Sequence, residues 1–455
     1  MALGILGAVL AWSFEAAYPS LLPQVLDELG QPRLYNLAFA AFEGGFGLTV
    51  PFAGWLADNR GRANLARWSC AVYLAGLLAA AAAQSMPALI AARAFQGCAL
   101  GILLPITLTL VGDFSSHRWR GVVHAALGVL PAVAGLTSPL IAAATASPWA
   151  WRLLFLGASV PAAASCLLLS GAPAPSQPAP GSVARPRGRI VLLVAAALCV
   201  AISVNVGSVS PVSVALGLAL LGGFAVLEWR ADDPVLAPEL YRRASYALSC
   251  VLELIGGVLV NTLAISLPLF LELGTGRSTV FAGTALAAAA GGYMVGHGVA
   301  GWLWSRSPPE RVVQGGFVVT LLACAGVAWS VRAGPPDASW VILLFAHGAG
   351  VGMVQPTLLA QVQGAVYFSS RGKTTGTLST FRNLGELLGD GLAGVLVAAS
   401  LSAGGLPAAR ITSSMSRLTL ATLSLAALGT LLAWIRPPMT VKQDPPPLPM
   451  RNPLR

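Results

Sequence analysis

Charged residues buried in long apolar runs are where this chain can do chemistry, and it has two sets of them. Arg93 lies within MPALIAARAFQGCALGILLP, and two carboxylates, Glu15 and Glu43, lie within apolar runs that precede it. If each run is a helix, a rise of 1.5 Å per residue sets Arg93 about 10 Å, Glu43 about 12 Å and Glu15 about 14 Å below one common edge. A guanidinium and two carboxylates at one level can take up and release a proton. The arginine keeps one acid ionised while burial favours the neutral form of the other. A static ion-pair triad fits the same residues. Arg382, Glu386 and Asp390 form the second set, and their i, i+4, i+8 spacing makes one helical stripe. Glu253 falls at the depth of Arg382 in an earlier run, so the spacing pairs those two. Asp390 is left as a second proton carrier, a contact for a cationic ligand, or part of a static buried stripe.

The scaffold that must position these groups spans a membrane. The 455 residues are 56% hydrophobic and 10% charged, where soluble chains carry about 25% charged residues. Runs of about 20 apolar residues predict fourteen spans. Residues 1–170 hold six of them, the first at 2–25, with no basic segment before it that would mark a cleaved signal. A Pro-rich linker covers 171–189, a hairpin of two spans 190–228, a connector 229–244, six further spans 245–436 and a Pro-rich tail 437–455. Arg60, Arg62, Arg118, Arg120, Arg242, Arg243, Arg371 and Lys373 all fall on one side of this layout. That asymmetry predicts cytoplasmic termini in an inner membrane, and it accounts for the net charge of +10 without nucleic acid. Trp149, Trp151, Trp229, Trp302, Trp304, Trp340 and Trp434 lie near span ends and are expected as interfacial anchors. His124 and His297 are expected at interfacial helix ends, and the six cysteines as small packing residues.

The two halves repeat. Gln96-Gly97 with Gly101 and Pro105 matches His347-Gly348 with Gly352 and Pro356, and Arg120-Gly121 matches Arg371-Gly372. Ala53-Gly54-Trp55-Leu56 matches Ala300-Gly301-Trp302-Leu303. The matches share one direction and order, which predicts parallel halves. Gln96, His347 and Gln355 are candidates to line an interior cavity. Leu344 stands where a second Arg93 belongs. The scaffold was duplicated and the charge was not, which argues for a role of Arg93 beyond architecture.

Two stretches carry a family resemblance. GWLADNRGR, with Gly54, Asp58, Arg60, Gly61 and Arg62, and RAFQGCALGILLP, with Arg93, resemble signature motifs of the major facilitator superfamily. The resemblance implies a latch between the halves on the cytoplasmic face, and proton coupling at Arg93. SFEAAYPSLLP resembles the family's first-helix acid-to-proline motif. Gly135 and Pro139 in span five resemble an antiporter-type motif, although Ser138, Ala142 and Ala143 replace expected glycines. WAWRLLFLGASVP and the inserted hairpin are similar to fourteen-helix drug:proton antiporters. The implied molecule is all-α and polytopic, with two parallel six-helix bundles and a two-helix insert. Its implied work is proton-driven export of hydrophobic or amphipathic small molecules, as a monomer, with the proton gradient as energy source and no cofactor or metal. A lipid or lipid-linked exporter, and a non-transporting sensor or assembly partner, are the alternatives. No Ser/His/Asp set, HExxH or metal-ligand cluster points to an enzyme.

Overall fold

The structure is a computed structural model. It describes residues 2–17, 28–31, 34–114, 150–170, 211–231, 243–304, 306–334, 336–366, 371–401 and 408–439, with a few isolated positions between them. Every regular element among these residues is helical. The first half contributes α1 (Ala2–Ser13), α2 (Tyr35–Arg60), α3 (Arg62–Ala81), α4 (Met86–Phe114) and α5 (Ala150–Ser170). Then follow α6 (Pro211–Trp229), α7 (Ala244–Leu269), α8 (Thr279–Leu303), α9 (Pro309–Ala333), α10 (Asp337–Gly364), α11 (Arg371–Leu401) and α12 (Ala408–Ile435). Six of these, α4, α5, α7, α9, α10 and α12, are long and apolar enough to cross a membrane by length and composition alone. The twelve helices match twelve of the fourteen expected spans. Span five, with Gly135 and Pro139, lies outside the described residues, as does most of span seven.

Helix punctuation follows the local residues. Gly61 separates α2 from α3 at φ +84°, a backbone conformation that a side chain disfavours, so this glycine of the GWLADNRGR stretch ends one helix and starts the next. Ser278 caps α8 by accepting a hydrogen bond from the Phe281 amide at 3.2 Å. The first span departs from the expected single helix over 2–25. It is α-helical to Ser13 and tightens into a 3₁₀ turn over Phe14–Ala17, which holds Glu15.

The sequence repeat is a repeat of helix crossings. A Cβ on Gly97 would come within 2.0 Å of the Phe42 carbonyl, so α4 meets α2 backbone to backbone. Its counterpart Gly348 on α10 stands at the same 2.0 Å from the Ala289 carbonyl of α8. Without a hydrophobic force between helices in lipid, such small-residue approach is what brings them together. One core runs through α1–α5 and a second through α7–α10 and α12.

The halves meet at the end of the molecule that carries Gly54. There a Cβ on Gly54 would lie 2.1 Å from the Gly372 carbonyl, joining α2 to α11. Tyr246, Leu359, Val362 and Leu378 of the second half belong to the first half's core at this same end. The insert leans on α2 nearby, where Phe224 of α6 and Leu236 pack with Phe52 and Trp55. Its base is pinned by a buried ion pair, Arg189 to Glu228 at 2.8 Å, and Glu228 also accepts the Leu236 amide.

Trp229, Trp302 and Trp434 are exposed at helix ends, as interfacial anchors would be. Trp151 and Trp340 are not: both are 0% exposed. Trp151 is drawn inward by donating its indole N–H to Glu28 at 2.7 Å, and Trp340 by packing on Phe270. The five described cysteines are all free.

The crossings set a contrast for substitution. Gly97→Leu and Gly348→Leu force side chains into backbone within one half, and each should lower the thermal unfolding temperature in detergent, reflecting an overpacking cost of about 1–3 kcal/mol. Gly54→Leu strains a contact between halves, so it should instead raise labelling of a single cysteine placed near that end. Equal loss of unfolding temperature in all three variants, with labelling unchanged, would show that Gly54 is only another core contact.

Candidate functional site

The first-half site is built by three helices around one guanidinium. Arg93, on α4, is 1% exposed. An unpaired arginine in a span costs about 2.5–3.5 kcal/mol on insertion scales, and here it is surrounded by partners. Its NH1 donates to the Glu15 carboxylate at 2.5 Å and to Gln96 Oε1 at 2.9 Å. The Phe42 ring of α2 lies 4.3 Å from the guanidinium carbon, a cation–π contact. Gln96 turns its own amide to the Gly76 carbonyl of α3 at 2.9 Å. A Cβ on Gly76 would lie 2.8 Å from Gln96 Cγ, so the glycine is what lets the glutamine reach that carbonyl. Tyr73, one turn away on α3, donates to Glu15 Oε1 at 3.2 Å. The bonds close a ring from Glu15 through Arg93, Gln96 and α3 back to Glu15.

The second site is a cavity of about 310 Å³ lined mainly by α7, α8, α10 and α11, with Trp12 of α1 and Leu104 of α4 on its first-half wall. Its lining is largely apolar, including Leu263, Leu286 and Leu344. Its polar residues are Glu253, Ser379, Arg382, Gln355, Tyr293, His297 and His347. Arg382 pairs with Glu386 at 3.5 Å. Tyr293 donates to Gln355 Oε1, and its ring lies 4.4 Å from that of His297. His347 Nε2 and Gln355 Nε2 are buried without a hydrogen-bond partner among the described residues. Polar atoms left so inside a cavity are ready for a ligand's polar groups.

The structure joins Glu15 and Arg93 directly. Glu43 is half-buried on α2, next to the Phe42 whose ring covers the guanidinium. Gln96, expected in a cavity, is instead fully buried within the first half, because both ends of its amide are committed to Arg93 and Gly76. His347 and Gln355 do line the cavity. His297, expected at an interfacial helix end, lines it too, held by ring contact with Tyr293. Arg382 takes Glu386 as its ion-pair partner where Glu253 was expected, since i, i+4 neighbours on one helix meet without any help from packing. Glu253 faces the same cavity. Asp390 lies on α11 and Asp58 near the end of α2, with side chains outside the described residues. Arg60 ends α2 in solvent, and Arg62 begins α3 buried. Sequence reasoning missed Tyr73 and Trp12. A lone hydroxyl inside the apolar run AVYLAG was the available signal for Tyr73; nothing in the sequence marked Trp12 as cavity wall.

A family model described as Major Facilitator Superfamily matches residues 3–389. An uncharacterized MFS-type transporter of Mycobacterium tuberculosis (strain ATCC 25618 / H37Rv) is 26% identical over 86% of this chain, which spans 58% of that relative's length. Multidrug resistance protein 3 of Bacillus subtilis (strain 168) is 22% identical over 85% of this chain and 76% of its own. The solved structure of the proton:xylose symporter XylE, bound to 6-bromo-6-deoxy-D-glucose, superposes with a TM-score of 0.68 at 12% identity. It covers 96% of this chain and 94% of that one, a likeness of fold.

The two polar residues at matching repeat positions should behave differently. Gln96→Leu strips a partner from Arg93 and from the Gly76 carbonyl, and should cost about 1–3 kcal/mol, seen as a lower unfolding temperature. His347→Leu gives up no hydrogen bond at Nε2 and should leave that temperature unchanged or raised. Equal effects would mean that Gln96 is as dispensable to the fold as His347.

Proposed function

This chain belongs to the major facilitator superfamily, and we propose that it is a multi-pass membrane transporter, a proton-driven exporter of hydrophobic or amphipathic small molecules. One observation carries the reading. Glu15, which pairs with Arg93, stands three residues from Trp12, which lines the cavity. A change of charge at the first site therefore moves a wall of the second.

The steps follow from electrostatics. With Glu15 ionised, its ion pair with Arg93 ties α1 to α4. A proton arriving on Glu15 removes the charge that holds this tie, while Arg93 keeps Gln96 and the Phe42 ring. Released from α4 but still tied to α3 through Tyr73, the Phe14–Ala17 turn and the end of α1 move with α3 relative to α4, carrying Trp12 with them and changing the cavity offered to a substrate. Loss of the proton restores the pair. Alternating the two states moves proton and substrate in opposite directions, with each ligand favouring one state. Glu43 is the second acid of the site. The latch end closes one face of the membrane, and we assign that face, with both termini, to the cytoplasm of a cell's inner membrane.

The apolar lining of the cavity suits an apolar substrate body, and its polar residues suit a polar group at one end. Names given to relatives, among them multidrug resistance proteins of Bacillus subtilis and Mycobacterium tuberculosis, agree with export of such compounds. We take the working unit to be a monomer, needing no cofactor beyond the proton gradient.

The test is transport driven by a pH gradient in proteoliposomes, with ethidium as a lipophilic cation and a panel of neutral amphiphiles. Proton movement should depend on the added compound and fall at least tenfold in Glu15→Gln and in Arg93→Ala, with Glu43→Gln impaired as well. Transport that ignores the gradient, with all three variants active, would reduce the three residues to a structural triad.

A further inference from the structure

We propose that Tyr73 is a positioning residue that keeps Glu15 hydrogen-bonded in both of its protonation states; this rests on the proton role given to Glu15 above. The phenol is completely buried and reaches two acceptors on the same stretch of chain. Its oxygen is 3.2 Å from Glu15 Oε1 and 3.5 Å from the Ala11 carbonyl. One hydroxyl has one proton to donate and lone pairs to accept with. When Glu15 is ionised, that proton points to the carboxylate. When Glu15 takes a proton from outside the site, the acid's new O–H donates to the Tyr73 oxygen, and the phenol proton rotates to the Ala11 carbonyl. No proton passes between the two side chains, and no covalent bond changes apart from the O–H formed on Glu15.

This arrangement matters because the pair is largely enclosed, with the Arg93 side chain 1% and the Glu15 side chain 10% exposed. A buried polar group left without a partner is unfavourable, so a proton carrier that lost its partner on charging or discharging would resist one of its two states. Tyr73 removes that penalty from both. Its own position is secured by the ring described above, since α3 also supplies the Gly76 carbonyl that holds Gln96 and hence Arg93.

Among the described residues, these charged and titratable groups lie around Glu15. Arg93 faces it from α4 and Tyr73 from α3, where Cys70 sits one turn earlier with its thiol on the Ala162 carbonyl at 3.5 Å. From α2 come the Phe42 ring and, beside it, Glu43; from α5 comes Phe155, 5.9 Å from the guanidinium carbon.

Infrared difference titration of the full chain in lipid vesicles reads the protonated carboxyl directly and needs no substrate. Wild type should show a titrating carboxyl band that Glu15→Gln removes. Tyr73→Phe deletes one oxygen and no bulk; the ionised acid loses a donor and the protonated acid an acceptor, so the carboxylate band and the carboxyl band that replaces it should each shift in frequency. An ortho-fluorotyrosine incorporated at position 73 keeps the hydroxyl but donates more strongly and accepts more weakly, so it should move the two bands by different amounts from the phenylalanine. It also keeps the test open should the phenylalanine variant fold poorly. Bands unmoved by the fluorinated residue, or by Tyr73→Phe in folded protein, overturn the role of Tyr73 and leave Glu15 as the carrier. A band that survives Glu15→Gln overturns the proton role of Glu15, and the role of Tyr73 with it.

Discussion

Close approach of helix backbones is the constraint on which everything else in this molecule depends. In lipid, helices gain nothing from hiding apolar side chains from one another, so their association rests on how near their backbones can come. Gly97 lets α4 touch the carbonyl of Phe42, and the ring of that same Phe42 then lies against Arg93. The crossing thus seats one face of the charged site. Gly348 makes the equivalent crossing in the second half, next to His347 on the cavity wall. Arg93, Gln96, His347 and Arg382 each sit within a turn of a glycine that brings its helix against a neighbour's backbone.

The duplicated scaffold supports two different interiors. The first half spends its interior on a closed set of ionic and hydrogen bonds around Arg93. The second half has Leu344 in the corresponding place, and that leucine lines the cavity. Replacing a guanidinium by an apolar side chain frees the surrounding space from the partners that a buried charge demands. The division between a charged ring and an apolar chamber therefore tracks the exchange of Arg93 for Leu344 and of its partner Gln96 for His347. Trp12 and Leu104 cross that division, reaching from the charged half into the chamber of the other.

Much of this was legible in the sequence. The repeat of Gln96-Gly97 in His347-Gly348 announced two equivalent crossings, and the cost of burying Arg93 announced a carboxylate partner, which is Glu15. What escaped was everything that depends on helix rotation. Gln96 and His347 hold matching positions, yet one is a clamp and the other faces a cavity, because only the first has an arginine three residues before it. Trp151 and Trp340 read as interfacial because they begin helices. Tertiary partners, Glu28 for one and Phe270 for the other, pulled them inside. Periodicity reports which residues share a helix face and is silent on what that face meets.

The contact between Gly54 and Gly372 has a kinetic side. A gate made of long side chains opens by degrees, as one rotamer after another swings away. Here the two backbones touch with no side chain between them, and neither has anything to withdraw. At this crossing the helices part as whole bodies or stay together, and only the side chains packed around it, such as Tyr246 and Leu378, can hold an intermediate aperture. In the proposed cycle, opening at this crossing waits on a rigid separation, and mutations elsewhere along α2 or α11 can alter its rate without touching a bound compound.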